Sequence, residues 1–257
     1  MADAKGIILI HGSWHGGWCW SGVAEILRGQ GLVVVARSLL GCSDRSGTLR
    51  PDLSVERMVD DTIDWFRQAG FEECVLVAHS SGGLIAQGVA GQLGEQVTHL
   101  ILLDAIMVAP GEIGFSVYPP ADQLARKAAA VPSPAGALVP VPDPLPSVWG
   151  IDGPGFEWAR QCLNPHPLAA FTTPVPAGGG ISSKTAVTYV SCNAPVHPIL
   201  DSSKSRARLL PGLEWIDLDE PHDCMLTNPG RIAALIQDRW SRNRRMCQSR
   251  PLEADEG

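Results

Sequence analysis

The sequence predicts an α/β chain, a mostly parallel sheet with helices on both faces and an inserted lid, and three observations carry that expectation. Short apolar runs alternate with segments of helical spacing from Gly6 to about Pro110 and resume at Thr185. Most of those runs are continuously apolar, as strands covered on both faces must be. Between residues 110 and 184 the alternation gives way to dense proline and glycine.

Gly6 to Ile10 is a short run rich in Ile that stops at a loop of Gly and Trp, the pattern of a buried strand ending in a turn. Trp20 to Arg28 has helical spacing and closes at Gly29-Gln30-Gly31, and Leu32 to Ala36 is the next strand. A loop from Arg37 to Pro51 follows, with Gly41, Ser43, Asp44 and Gly47 as turn residues. Ser54 reads as an N-cap to a helix whose Val55, Val59, Ile63 and Phe66 share one face. Cys74 to Ala78 is a buried strand, Gly82 to Ala90 a helix of small residues, and Val97 to Leu103 another strand.

Regular sheet cannot continue through Pro132, Pro134, Pro140, Pro142, Pro144 and Pro146, because proline removes a ladder donor. The insertion, placed after a strand, is a candidate lid over the C-terminal edge of the sheet. Strands at Thr185 to Ser191 and Leu213 to Leu218 follow, then a helix from about Pro229 to Trp240. The expected organisation is one core in two parts, 1–109 and 185–240, around a lid at 110–184, with a polar, disordered tail at 241–257.

The formal net charge of -7 argues against a nucleic-acid face. The short basic run Arg242, Arg244 and Arg245 reads as a solvated helix end. Seven cysteines, an odd number without a C-x-x-C pair, imply neither a structural zinc site nor a disulfide framework, so reduced thiols are expected. The N-terminus has no basic region, and Ile7 to Ile10 is too short for a signal segment or a membrane span. A cytoplasmic location and no membrane partner are the expectation.

Chemistry concentrates at Ala78-His79-Ser80-Ser81-Gly82-Gly83, between a buried strand and a helix. A nucleophile elbow needs small residues on both sides of its serine, and Ala78 and Gly82 occupy the flanks at G-x-S-x-G spacing. Ser80 is the candidate nucleophile, with Ser81 the competitor. A serine needs a base, and His222, between the last strand and the last helix, suits the chain order Ser, acid, His. Asp104, ending an apolar strand, is the favoured acid, since a carboxylate there is costly to bury unless paired. The alternative is Asp201, the first carboxylate beyond the acid-free loop at 192–197, though it comes late.

Oxyanion stabilisation needs two N–H groups, and Ser81 and Ser13 are the expected donors, the latter from the loop His11-Gly12-Ser13-Trp14-His15-Gly16-Gly17. Gly12, Trp14 and His15 of that loop, with Trp149 and Trp158 of the lid, are candidate pocket residues. Phe156 and Phe171 add to an apolar, aromatic lid. No metal is expected: His11 and His15 lack a third ligand at recognisable spacing. No nucleotide cofactor is expected either, because Ser183-Lys184-Thr185 lacks the glycine of a P-loop and Gly29-Gln30-Gly31 precedes its strand.

These residues resemble the α/β-hydrolase superfamily, and within it the plant methylesterase and hydroxynitrile lyase group with its bacterial esterase relatives. The likeness rests on residues 11–18, the elbow, Leu103-Asp104-Ala105 and His222-Asp223-Cys224-Met225, with a loose match at Asn164-Pro165-His166-Pro167. It implies an α/β-hydrolase fold and a cofactor-free serine hydrolase acting on an ester or lactone of a small to medium apolar substrate. The lyase branch has threonine where this chain has Gly12 and lysine where it has Asp223, and both departures disfavour cyanohydrin chemistry. The plant pattern places an acid at 193–195, where this chain has none. A cofactor-independent lyase or oxygenase, or a non-catalytic ligand receptor, are the other functions this scaffold serves.

Overall fold

The computed structural model describes residues 4–178 and 180–248. Strand β1 (Lys5–Ile10) leads through a glycine-rich loop and a 3₁₀ turn to α1 (Ser21–Gly29), then to β2 (Val34–Val35). Helix α2 (Val55–Gln68), β3 (Glu73–His79), α3 (Gly82–Leu93) and β4 (Val97–Leu103) follow. After the lid come β7 (Ala186–Cys192), α7 (Asp201–Ala207), β8 (Glu214–Leu218), the short α8 (Cys224–Thr227) and α9 (Pro229–Gln248). The sheet has six strands in the order β2-β1-β3-β4-β7-β8, every neighbouring pair parallel. The chain therefore winds outward from β1 and β3 in both directions, and the elbow after β3 falls at the middle of the sheet's C-terminal edge.

Burial follows the strand pleat. Ile8, Ile10, Leu76, Ala78, Leu100 and Leu102 join one apolar cluster with α2 and α3, whereas Ile7, Leu9, Val75, Val77, Ile101 and Leu103 join the other with α1 and α9. Ser54 caps α2 by accepting the Arg57 N–H, and Val55, Met58, Val59, Ile63 and Phe66 are buried at helical spacing. Helix α3 is buried on nearly every side, which only small residues allow: a Cβ at Gly88 would meet Val59 Cγ2 at 2.5 Å.

The lid holds α4 (Pro120–Ala129), α5 (Glu157–Cys162), α6 (Ala169–Thr172) and a small antiparallel pair, β5 (Leu138–Val139) with β6 (His166–Pro167). Three backbone bonds tie it to the core loops: Asn164 N–H donates to Trp14 O (2.9 Å), His222 N–H to Val148 O (2.9 Å) and Asp223 N–H to Trp149 O (3.2 Å).

Three expectations change. The second strand shortens from Leu32–Ala36 to Val34–Val35, as befits an edge that pairs β1 over only two positions. The last helix runs past Trp240 to Gln248, so the described part of the expected tail is helical, and residues 249–257 lie outside the described residues. Helix α7 was not expected, because it buries polar Ser203 and Lys204 in place of an apolar stripe. Among the described residues no helix is long and apolar enough to cross a membrane.

Candidate active site

Ser80 stands between β3 and α3 with φ at +52°, a left-handed conformation that a non-glycine residue adopts only where its surroundings hold it. Those surroundings are specific. Ser80 O accepts from the N–H groups of Gly83 (3.0 Å) and Ile106 (2.8 Å), and Ser80 N–H donates to Leu103 O (3.3 Å). A Cβ at Gly82 would meet His11 O at 2.6 Å, and one at Gly83 would meet Ile106 O at 2.2 Å. Glycine at both positions lets the loops after β1 and β4 close against the turn.

His222 reaches the same cleft from the loop before α8. Its Nδ1 lies 2.7 Å from Asp104 Oδ2, and both side chains are buried. Asp104, directly after β4 and also left-handed (φ +41°), takes Lys204 Nζ at 3.0 Å and the Cys192 N–H at 3.3 Å on its other oxygen. Burial alone would raise its pKa, but His222 and Lys204 outweigh that and hold the carboxyl below its usual value. Asp201, by contrast, is exposed in the first turn of α7. Lys204→Met is expected to cost about 3 kcal/mol, since a buried carboxylate loses its permanent cation. A urea melt checks this, and an unshifted midpoint would contradict it.

Behind His222 lies a second buried acid, Asp223, to which sequence reasoning gave no role in the site. Asp223 sits 3.2 Å from His15 Nε2 and 3.6 Å from His79 Nε2, without hydrogen-bond alignment to either. Burial pushes the Asp223 carboxyl up, yet the neighbouring His15 holds it below its ordinary value, and Asp223 in turn raises His15 against the effect of burial. His79 donates from Nε2 to His222 O at 3.0 Å, which fixes the backbone of the loop that carries His222. The ligating atoms of His79, His222 and Asp223 lie within 4.8 Å of one another.

The cleft is lined by Ser13, Trp14, His15, His79, Ser80, Trp149, His197, His222 and Asp223, with Ile106, Pro142, Pro146, Ile199 and Leu200 as apolar wall and Tyr118 and Arg126 from the lid side. Ser13 Oγ and Ser81 Oγ are 2.7 Å apart, so the two expected oxyanion residues adjoin beside the elbow. Ser81 also starts α3, where the helix dipole favours negative charge. Gly12 backs Ser80 and does not line the cleft: its Cβ would meet Ser80 Cβ at 2.7 Å. Trp158 does not line it either. Its ring packs on Trp18 (5.8 Å) and 49% of its surface is exposed, because α5 carries it to the outside of the lid. Phe171 is core, stacked on Phe115 at 5.1 Å.

Burial holds five histidines neutral, pushing His79 well below its usual value, His11, His99 and His197 to about 4 and His166 to about 3. His11 shows why: its Nδ1 donates to Gly12 O and its Nε2 accepts the Leu39 N–H, so no site remains for a second proton. Bases with depressed folded pKa bind fewer protons than the unfolded chain between their folded values and about 6.5. Stability is therefore expected to fall from pH 6.5 toward 4, by up to roughly 1.4 kcal/mol per pH unit for each histidine. His15, with a raised pKa, acts with the opposite sign around pH 6.5, where the unfolded chain takes up its proton, and adds no slope below about pH 5.5, where it is protonated in both states. The depressed Asp104 and Asp223 lose their contribution only below about pH 4. Melting temperature against pH checks this, and a flat profile between pH 7 and 5 would contradict it.

Comparison with known proteins bears on this geometry. Residues 7–235 match the model of a family described as "Alpha/beta hydrolase family". A carbendazim hydrolyzing esterase of Nocardioides sp. is 26% identical over 239 residues, covering 88% of this chain and 96% of the relative. A protein of Arabidopsis thaliana named as a chloroplastic methylesterase 14 is 30% identical over 115 residues, 44% of this chain and only 33% of that relative. The solved structure of a pyrethroid hydrolase from Sphingobium faniae superposes with a TM-score of 0.73 at 22% identity, covering 91% of this chain and 96% of that one.

Proposed function

The chain belongs to the alpha/beta hydrolase family, and from that premise we propose that it hydrolyses a carboxylic ester of a small to medium apolar molecule through an acyl-enzyme on Ser80. The observation that carries the proposal is the buried Asp104–His222 pair, 2.7 Å apart, opening on the same cleft as a serine held at φ +52°. That combination has no use in packing. A buried carboxylate and a strained turn both cost stability, and such costs are retained where they orient a reacting group. The esterase names of the relatives over whole or part of the chain agree with it.

In the proposed mechanism Ser80 Oγ attacks the carbonyl carbon while His222 Nε2 takes the hydroxyl proton. Asp104 holds the Nδ1–H and so fixes the tautomer and steadies the imidazolium. The N–H groups of Ser13 and Ser81 receive the developing oxyanion. The intermediate collapses as His222 returns the proton to the leaving alkoxide oxygen. Water, deprotonated by the same base, then releases the acid and restores Ser80. Ile106, Pro142, Pro146, Trp149, Ile199 and Leu200 offer the substrate an apolar wall.

One acyl-enzyme predicts one partitioning. Phenyl and p-nitrophenyl butyrate, hydrolysed in the presence of methanol, are expected to give the same ratio of methyl butyrate to butyrate, because both pass through the same intermediate. A ratio that changes with the leaving group would contradict the acyl-enzyme.

A further inference from the structure

Most charges lining or bordering the cleft are compensated. Asp104 is matched by Lys204 and His222, and Asp223 by His15. Arg126 is not. It projects from α4 to line the same cavity as Ser80 and His222, and among the described residues it makes no ion pair or hydrogen bond. Asp122, one turn earlier on α4, makes no ion pair with it.

Its guanidinium is nonetheless positioned. The central carbon lies 4.7 Å from the Tyr118 ring centroid and 5.3 Å from that of Trp14. Aromatic contact of this kind engages the cation without using its N–H donors, which remain available as a planar fork suited to a carboxylate. Arg126 is half-buried, so an anion bound there would be only partly screened. In a chain of net charge -7, a cation without an ion-pair partner on the cleft wall selects for one kind of ligand.

Resting on the esterase reading, we infer that Arg126 is a specificity residue, and that the preferred substrates are esters carrying a carboxylate, or a group of like charge, at the end remote from the scissile carbonyl. Arg126 reads that end while the apolar wall receives the chain between. Its part is recognition and not proton transfer.

The test compares the p-nitrophenyl monoester of adipic acid with p-nitrophenyl hexanoate, similar in length and different in charge. Wild type is expected to favour the anionic ester by about tenfold in kcat/KM, the factor that about 1.4 kcal/mol of charge-assisted hydrogen bonding gives. Arg126→Gln should bring that ratio to about one, and Arg126→Glu should invert it. A purely structural role for Arg126 would change both esters alike and leave the ratio in place, and that result would overturn the inference. Binding without turnover tests the inference apart from the esterase reading. Monomethyl adipate and dimethyl adipate are titrated into Ser80→Ala, with tryptophan fluorescence as the signal. Tighter binding of the anionic ester, abolished by adding Arg126→Gln, supports the inference even if no ester is turned over. Equal binding of the two esters sinks it whether or not the enzyme is an esterase.

Discussion

Ser80→Ala is expected to lower kcat for p-nitrophenyl butyrate by about 10⁴-fold or more while leaving KM within a few-fold, because the variant loses the attacking oxygen and keeps the cleft. The residual rate reports what binding and the oxyanion donors achieve alone. Ser80→Gly separates strain from chemistry. At φ +52° glycine avoids a cost of about 1 kcal/mol or more that any side chain incurs, so this variant should be equally inactive and melt at a higher temperature than wild type. Full activity in either variant would move the nucleophile elsewhere, with Ser81 the next candidate.

Asp104→Asn is expected to reduce kcat by about 10³- to 10⁴-fold, since an amide can hold the imidazole in the wrong tautomer and cannot stabilise its charged form. The loss should be insensitive to the leaving group if it acts through the base. Asp201→Asn, in an exposed turn of α7, should stay near wild type. The reverse pattern would show that the 2.7 Å contact between Asp104 and His222 is not the working pair. The variant also leaves Lys204 facing a neutral amide, so urea melts alongside the kinetics are needed to keep a folding defect apart from a chemical one.

Much of this arrangement was legible because the fold repeats simple periods. Continuously apolar runs located β3 and β4 almost to the residue, and the small residues at 78, 82 and 83 marked the turn between β3 and α3. The pairing of Asp104 was legible because a carboxylate at the end of an apolar strand demands a partner, and the structure supplies His222 and Lys204. Lys204 itself was invisible: a lysine in a polar heptapeptide reads as surface, and only tertiary packing buries it. Asp223 was noted as a departure from the lyase pattern, but its contacts with His15 and His79 join residues 208 and 144 positions away, beyond any local signal. The lid was the least readable part. Proline density announced that the sheet stops, yet it could not tell which aromatics face inward: Trp149 does and Trp158 does not. Arg126 gave no sign in the sequence, being one more basic residue on an amphipathic helix.

The central claim, an activated serine at position 80 served by Asp104, is tested most directly by intact-protein mass after exposure to a fluorophosphonate probe. The account predicts one adduct on wild type, none on Ser80→Ala and slow formation on Asp104→Asn. An unmodified wild type, or an adduct that persists in Ser80→Ala, would contradict it.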